Sequence, residues 1–267
     1  MFARSPKVAE NERAFSLGVG GGNMRTGQLE NHGLKYFLKK SLLPSGLAPR
    51  VIRSGMIAGL TMDLDFAHHT QRWLGLQERE LSVWFGRLSG GIRTAIDVGA
   101  SEGFYTLYFL AKTQAAKVFS FEPSEDELRQ LQSNLALNGL AKTPRLEVIR
   151  KRVGDSVTGQ QVTLDSLAER MDQPCLVKVD IDGGEVSLLE GARHLLRSSE
   201  TRWIIEVHSK ALQEKCLEIL RASDFRTLVV RNAWWRNFLP ELRPGELNHW
   251  IIALHRDNPL DLRDGSI

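Results

Sequence analysis

The sequence predicts an α/β fold: a Rossmann-like, doubly wound sheet of seven strands with the last strand antiparallel, behind an N-terminal α/β cap. Three observations predict it. From Thr94 onward, short apolar runs alternate with amphipathic stretches of helical period, the pattern of a parallel sheet wrapped by helices. The first of those runs passes directly into a glycine-bearing turn and a helix. The last two runs are joined by residues 231–248, which carry no helical period, so the closing pair is free to run antiparallel.

Taken in order, residues 1–28 hold few large apolar side chains and include the run Gly18-Val19-Gly20-Gly21-Gly22-Asn23. They read as a flexible arm. That glycine run is no phosphate loop, since no strand precedes it and no Gly-Lys-Ser/Thr follows. Residues 29–92 read as the cap. Leu34, Phe37, Leu38 and Leu42 fall near helical spacing over 30–43, and Pro44 closes them. Residues 50–66 alternate at period two around small turn residues, as in a hairpin. Residues 70–89 return to helical spacing through Trp73, Leu74, Leu81, Trp84, Phe85 and Leu88.

The main domain is expected over 93–257, with a tail at 258–267. Its strands are expected at Thr94–Val98, Lys117–Phe121, Arg145–Ile149, Cys175–Val179, Arg202–Val207, Arg226–Val230 and Trp250–His255. Helices fit 104–113, 124–138, 185–197 and 209–222 between them.

Composition narrows the class. With 267 residues, 42% of them apolar and 25% charged, the chain is not globally disordered, collagenous or a coiled coil. Two cysteines, Cys175 and Cys216, make neither a disulfide framework nor a cysteine-rich zinc site. No run of 18 apolar residues predicts a membrane span, and the first residues lack the apolar core of a secretory signal. A cytoplasmic location is the simplest expectation. The net charge of +3 gives no reason to expect nucleic acid as a partner. The charge is uneven, with 13 basic against 7 acidic residues over 1–93. That excess reads either as a solvated face or as a match for an anionic small-molecule acceptor, such as a nucleotide-linked sugar.

The stretch Ala95-Ile96-Asp97-Val98-Gly99-Ala100-Ser101-Glu102-Gly103-Phe104-Tyr105 carries the most chemistry. Glycine lets a ligand approach the backbone, and free N–H groups at a helix start point to the same place. Ligands of open α/β sheets bind beyond the carboxyl ends of the strands. Glu122-Pro123 directly follows the second strand, where an acid can accept hydrogen bonds from both ribose hydroxyls. The glycines miss the middle position of the dinucleotide fingerprint G-x-G-x-x-G. Asp97 and Glu102 add charge that repels phosphate, whereas Asp97 suits an ammonium or a sulfonium. S-adenosyl-L-methionine is therefore expected over a nicotinamide dinucleotide. The candidate cofactor contacts are Asp97, Gly99, Ala100, Gly103, Tyr105, Thr106, Glu122, Asp155 and Asp180. Asp155 follows the third strand, placed either for the adenine amino group or as a plain turn acid.

The chain resembles the FkbM family of class I S-adenosylmethionine-dependent methyltransferases. The resemblance rests on Ile96-Asp97-Val98-Gly99-Ala100, Phe121-Glu122-Pro123, Thr163-Leu164-Asp165-Ser166-Leu167, Lys178-Val179-Asp180-Ile181-Asp182-Gly183-Gly184-Glu185 and Glu206-Val207-His208, in the family's order. Gly75-Leu76-Gln77-Glu78 is similar to its lead-in. One departure is Asp182, where the family usually carries Glu. The resemblance implies a seven-stranded sheet with an antiparallel last strand. It also implies methyl transfer, usually to a hydroxyl of a sugar or natural product, and an acid at Asp180 near the transferred methyl.

The residues themselves leave several roles open. Asp182 and Glu185 have the spacing of a helix N-cap and its reciprocal partner. Asp180 and Asp182 with a later residue have the character of a divalent-ion site, although no metal is expected. Glu206 and His208 share a strand face, so His208 is either the base that takes an acceptor proton or a structural histidine. Asp180 is the second candidate base. Lys178 pairs with an acid or reaches the acceptor. Trp234-Trp235-Arg236-Asn237-Phe238 is a substrate-contacting lid or a packed loop. Four alternatives stay in view: N-methylation, RNA methylation, a nicotinamide oxidoreductase, and a catalytically silent binding protein of the same fold. Oligomerisation and the acceptor's identity are not set by the sequence.

Overall fold

The computed structural model describes residues 46–237 and 249–262. The expected arm at 1–28, the helix at 30–43, Phe238 and the end of the tail from 263 lie outside the described residues.

The described residues open on the expected hairpin, β1 (Ala48–Val51) antiparallel to β2 (Thr61–Leu64). The helical stretch expected over 70–89 is in fact broken. Helix α1 (Phe66–Trp73) stops, a 3-10 turn forms at Arg79–Leu81, and α2 (Ser82–Leu88) follows. Gly75 causes the break. Its φ is +69°, and a Cβ there would sit 2.0 Å from the Ser54 carbonyl oxygen. The chain has to turn against the hairpin loop at that point, which helical spacing cannot register. Glu78 adds a left-handed residue at φ 45°.

The main sheet runs through β3 (Thr94–Val98), α3 (Phe104–Lys112), β4 (Lys117–Phe121), α4 (Glu125–Leu137) and β5 (Leu146–Ile149). Two short parallel strands follow, β6 (Arg152–Val153) and β7 (Gln161–Val162), which the sequence reading did not anticipate. The sheet then continues with β8 (Cys175–Val179), α5 (Glu185–Glu190), β9 (Thr201–Val207), α6 (Lys210–Ala222), β10 (Phe225–Val230) and β11 (His249–His255). Strand order is β10-β11-β9-β8-β3-β4-β5. β11 is antiparallel to both of its neighbours, so the other strands of the sheet all point one way. The order reverses between β3 and β8, the place where ligands of such sheets bind.

Local chemistry fixes the helix ends. Ser124 caps α4, its Oγ accepting from the Glu127 N–H, and Glu125, Asp126 and Glu127 fill the first turn at the positive end of the helix. Ser209 caps α6 in the same way through the Leu212 N–H. The helix expected over 185–197 stops at Glu190 with Gly191 as its C-cap, a position that only glycine fits, since a Cβ there would lie 2.0 Å from the Gly154 carbonyl oxygen. Residues 195–197 form a separate 3-10 turn. Asp165 secures that segment from afar, its carboxylate accepting from the Arg193 N–H at 3.0 Å and the His194 N–H at 2.8 Å.

Both faces of the sheet are covered. Ile96, Val98, Val177, Val179, Trp203, Ile205 and Val207 share one core with Leu188 of α5 and Leu220 of α6. Ala95, Val118, Leu176 and Ile204 share the other with α2, α3 and the hairpin residues Met62 and Leu64. Residues 52–92 therefore complete the sheet's second core. Alternation along the strands puts Asp97, Ser120, Lys178 and Glu206 on that second face, near the carboxyl edge. No helix among the described residues is long and apolar enough to cross a membrane. Cys175 and Cys216 are free, buried thiols.

The connection after β10 is tied back to the segment beside α2. Arg236 Nε and Nη2 donate to the two oxygens of Glu80 at 2.9 and 2.8 Å, and both side chains are buried. Arg236 also donates to Gln71 Oε1 and to the Leu76 carbonyl, and its guanidinium lies 4.2 Å from the Trp235 ring centroid. Burial pushes Glu80 up, but the bonds from Arg236 and from the Ala233 N–H outweigh it and hold its carboxyl below the ordinary carboxylate range. Arg236→Gln is expected to cost about 3–5 kcal/mol, because it strands a buried carboxylate. Urea denaturation would measure this, and a loss under about 1 kcal/mol would mean that water reaches Glu80.

Candidate active site

The turn after β3 is built by two glycines. Gly99 has φ +79°, and a Cβ on it would lie 1.8 Å from the Asp180 carbonyl oxygen. The Asp180 N–H in turn donates to the Val98 carbonyl at 2.9 Å, so the ends of β3 and β8 touch backbone to backbone. Gly103 begins α3 at φ +90°, where a Cβ would meet Leu131 of α4 at 3.0 Å.

The donors of the turn itself are engaged within the protein. The N–H groups of Gly99 and Ala100 both donate to the Phe121 carbonyl, and that of Gly103 to the Ala100 carbonyl. The Ser101 N–H donates to Glu122 Oε2 at 3.0 Å. These four donors are spent inside the protein, so what the turn itself offers a ligand is close backbone approach. Glu122 is buried beside it, and its other oxygen accepts from the Ser124 N–H at 2.8 Å. Two backbone bonds thus fix the carboxylate while each oxygen keeps a second lone pair for a ribose hydroxyl.

Glu102 departs from the expectation. It is not a bare charge against phosphate, because Arg72 Nη1 donates to its Oε2 at 2.6 Å. Burial opposes the shift, but Arg72 prevails and holds the Glu102 carboxyl low. The same contact seats α1 on the turn.

Beneath the turn lies a buried polar layer. In register, Asp97 faces Ser120 on β4 and Lys178 on β8. Thr106 reaches down from α3 and donates to Asp97 Oδ2 at 2.8 Å, with Ser120 Oγ 2.7 Å from the Thr106 hydroxyl. The Tyr105 hydroxyl donates to Glu78 Oε2, and Lys178 Nζ sits 4.4 Å from the Tyr105 ring centroid. The structure therefore places Tyr105 and Thr106 facing this layer. Asp97 Oδ1 is fully enclosed and has no hydrogen-bond partner. Burial pushes the Asp97 carboxyl up to about 6, with Lys178 and Thr106 pulling against it. Burial alone would lower the Lys178 ammonium, but Asp180, Asp97, Glu78 and Glu206 surround it and raise it.

The far side of the switch point is acidic. Asp180 follows β8, and its Oδ2 pairs with Lys178 Nζ at 3.2 Å. His208 follows β9, with Nε2 3.7 Å from Asp180 Oδ1 and 3.8 Å from Glu206 Oε1. Its Nδ1 lies 3.4 Å from Glu185 Oε1. The bond to Glu185 raises the His208 pKa, burial opposes it, and Glu206 and Asp180 add to the rise. Asp180, Glu206 and His208 offer ligand atoms that all lie within 4.8 Å of one another, a set able to hold a metal ion.

Here the predicted capping pair fails. Gly184 occupies the N-cap of α5 with no side-chain cap bond. Asp182 is 92% exposed, while Glu185 is fully buried against His208. The Gly183-Gly184 turn, rather than a side chain, starts the helix. Asp155 lies beside α5, its N–H donating to Ser187 Oγ, and its exposed carboxylate accepts from Ser156. The sequence reading missed Glu78 and Glu185 as parts of the site. Glu206 was legible, since it shares period two with His208. Trp234 is 76% exposed beside the buried Arg236.

The methyltransferase FkbM domain family matches residues 139–241, a span that takes in Asp180, Asp182, Glu185, Glu206 and His208. No curated protein matches the chain. Among solved structures, the methyltransferase FkbM from Methylobacillus flagellatus KT is 20% identical over 61% of this chain, with a TM-score of 0.47. The match spans 43% of that protein, less than half of its length. The METTL16 MTase domain is 14% identical over 74% of both chains, with a TM-score of 0.50, a likeness of fold. The human methyltransferase 10 domain containing protein is 16% identical over 85% of this chain and 96% of its own, with a TM-score of 0.49.

Proposed function

We propose that the chain, whose residues 139–241 match the FkbM methyltransferase domain family, carries a methyl group from S-adenosyl-L-methionine to a hydroxyl oxygen of a sugar-type or natural-product acceptor. The observation that carries this reading is the arrangement at the switch point, with an enclosed carboxylate oxygen on one side and an oriented histidine on the other.

The residues fit the cofactor. Asp97 Oδ1 is an orphaned, buried acceptor in a layer already rich in negative charge, and it suits the ligand's ammonium. Such an oxygen is costly to leave without a partner. Glu122, held by two backbone bonds, suits the ribose. Gly99, Ala100 and Gly103 let the ligand come close, and Asp155 is the proposed partner of the adenine amino group. When bound, the cofactor supplies an electrophilic sulfonium methyl.

The protein's own work is positioning and readying the acceptor. Good orientation of two reactants contributes about 7–11 kcal/mol. Glu185 holds the His208 ring and Lys178 pairs with Asp180; His208 Nε2, with Asp180 as the second candidate, acts on the acceptor hydroxyl as it loses its proton. The carboxylates at this edge disfavour the anionic acceptor that the basic N-terminal third suggested. A neutral hydroxyl compound fits better.

The test is incubation of the protein with methyl-deuterated cofactor and a small-molecule cell extract, followed by mass spectrometry. Label on an oxygen of a small molecule supports the reading; label only on nitrogen, or only on RNA, overturns it. On that acceptor, His208→Gln is expected to slow transfer by about 100-fold or more while leaving affinity for S-adenosylhomocysteine unchanged. Turnover at the wild-type rate would remove His208 from the chemistry.

A further inference from the structure

We propose that Glu185 is a positioning residue of the transfer reaction: it keeps the hydrogen on Nδ1 of His208, so that Nε2 is the nitrogen that takes the acceptor's proton. The inference rests on the reading of His208 as the base, and it assigns that base its tautomer and the partner that balances its charge.

The backbone of His208 has little freedom of its own. Val207 ends β9 in register with His249 of β11. Ser209 caps α6, its Oγ accepting from the Leu212 N–H at 3.2 Å. A single residue between a strand end and a helix cap is set from both sides, which leaves the ring only its two side-chain torsions. Glu185 restricts those. Its Oε1 lies 3.4 Å from Nδ1, and Nε2 is turned to the Asp180 side, 3.7 Å from Oδ1.

The tautomer follows from what a carboxylate can do. An ionised carboxylate only accepts, so the nitrogen facing it carries the hydrogen. The hydrogen bond made by one ring nitrogen decides the state of the other. The neutral ring therefore has its lone pair on Nε2, on the side of the switch point. In the step itself, the acceptor oxygen bonds to the methyl carbon as the carbon–sulfur pair returns to sulfur. The acceptor's proton goes to Nε2, and the Nδ1 hydrogen stays in its bond to Glu185, which is not itself protonated.

The placement of Glu185 is an independent observation. A glutamate in the first turn of a helix ordinarily serves that helix, at its exposed N–H groups. Here Gly184 is the N-cap of α5 with no side-chain bond, and the Glu185 side chain is fully buried against His208. Its Oε2 is enclosed, with no hydrogen-bond partner among the described residues. An unmatched oxygen on a buried carboxylate is costly, and an apolar side chain would fill the same space without that cost. The neighbour explains the charge. When Nε2 takes up a proton the ring becomes cationic, and the carboxylate already lies against its other nitrogen, the arrangement by which a buried acid orients a histidine base and stabilises its charged form.

The first test needs no acceptor. Full-length protein with isotope-labelled histidine nitrogens is measured by two-bond proton–nitrogen correlation at a pH where the ring is neutral, and the signals that vanish in His208→Gln identify the residue. The expected result is a protonated Nδ1 and a bare Nε2. A wild-type ring with its hydrogen on Nε2 overturns the proposal, whether or not any variant of Glu185 folds. The second test separates positioning from scaffolding. With methyl-deuterated cofactor and the small-molecule extract, Glu185→Gln is expected to slow labelling about 10-fold or more while affinity for S-adenosylhomocysteine stays within about twofold. Added to His208→Gln it is expected to cost nothing further, because it acts through that ring. An equal loss in both backgrounds means that Glu185 serves the scaffold, and overturns the proposal. A wild-type protein that labels nothing sinks the transfer reading itself, and Glu185's part in it, whatever the tautomer.

Discussion

Gly99→Ala is expected to destabilise the protein by about 3–5 kcal/mol and to abolish measurable binding of S-adenosylhomocysteine. Holding a non-glycine residue at φ +79° costs about 1–2 kcal/mol by itself. The larger part comes from the 1.8 Å overlap with the Asp180 carbonyl oxygen, which is backbone and cannot rotate away. Relief requires β3 and β8 to part by more than an ångström, which would carry Lys178 and Asp180 away from Asp97 and the glycine turn. Two other glycines provide an internal scale. Gly103→Ala meets only the Leu131 side chain at 3.0 Å, and Gly183→Ala meets nothing within 4 Å, although both have positive φ. The expected order of loss is Gly99 first, then Gly103, then Gly183. Urea melts of the three variants measure it. If Gly99→Ala matches Gly183→Ala, the strand ends are not locked together as described.

That series also shows how far a sequence carries its own fold. Val98-Gly99 was readable as a strand running into a turn because apolar runs and glycines are local signals. The bounds of β3, β4 and β8 fall where alternation places them, since those strands are buried on both faces. What escaped was set by contacts distant in the chain. Gly75 breaks a helical pattern because Ser54 lies against it. Glu185 looks like a capping residue until His208, 23 positions away, occupies its carboxylate. Glu80 and Arg236 are 156 positions apart and meet in a buried pair that neither one's neighbours announce. The uneven charge located no site for a related reason. The basic excess over 1–93 is a sum along the chain, whereas the acidity of the site comes from strand ends gathered at one edge of the sheet. The candidate residues on those ends were legible because strand ends in such sheets are where ligands bind. Their protein partners were not.

Asp97→Asn is expected to weaken S-adenosylhomocysteine binding about 10-fold or more at pH 7.5 while leaving the free protein at least as stable as before. The reasoning starts from the buried position of Asp97. Burial lifts its carboxyl from an ordinary 3.8 to about 6 in the fold. A carboxylate raised in this way binds its proton more tightly folded than unfolded. Its contribution to stability is therefore fullest below the unfolded value and is lost as pH rises toward about 6. The span between the two values corresponds to about 3 kcal/mol, an order-of-magnitude figure. At neutral pH the ionised group is a burden on the free protein, and asparagine removes it while still accepting from Thr106. Lys178 keeps Asp180, Glu78 and Glu206 around it, so the substitution does not strand the ammonium. A charge kept at such a cost implies a use, and the ligand's ammonium supplies one. Wild-type affinity should accordingly fall as pH drops through about 6, where Asp97 takes up its proton, and the variant's affinity should stay flat over the same range. Calorimetry across that range, with thermal melts at each pH, reads both halves. Equal affinities for the two proteins at pH 7.5 would show that Asp97 belongs to the scaffold and that the ammonium is held elsewhere.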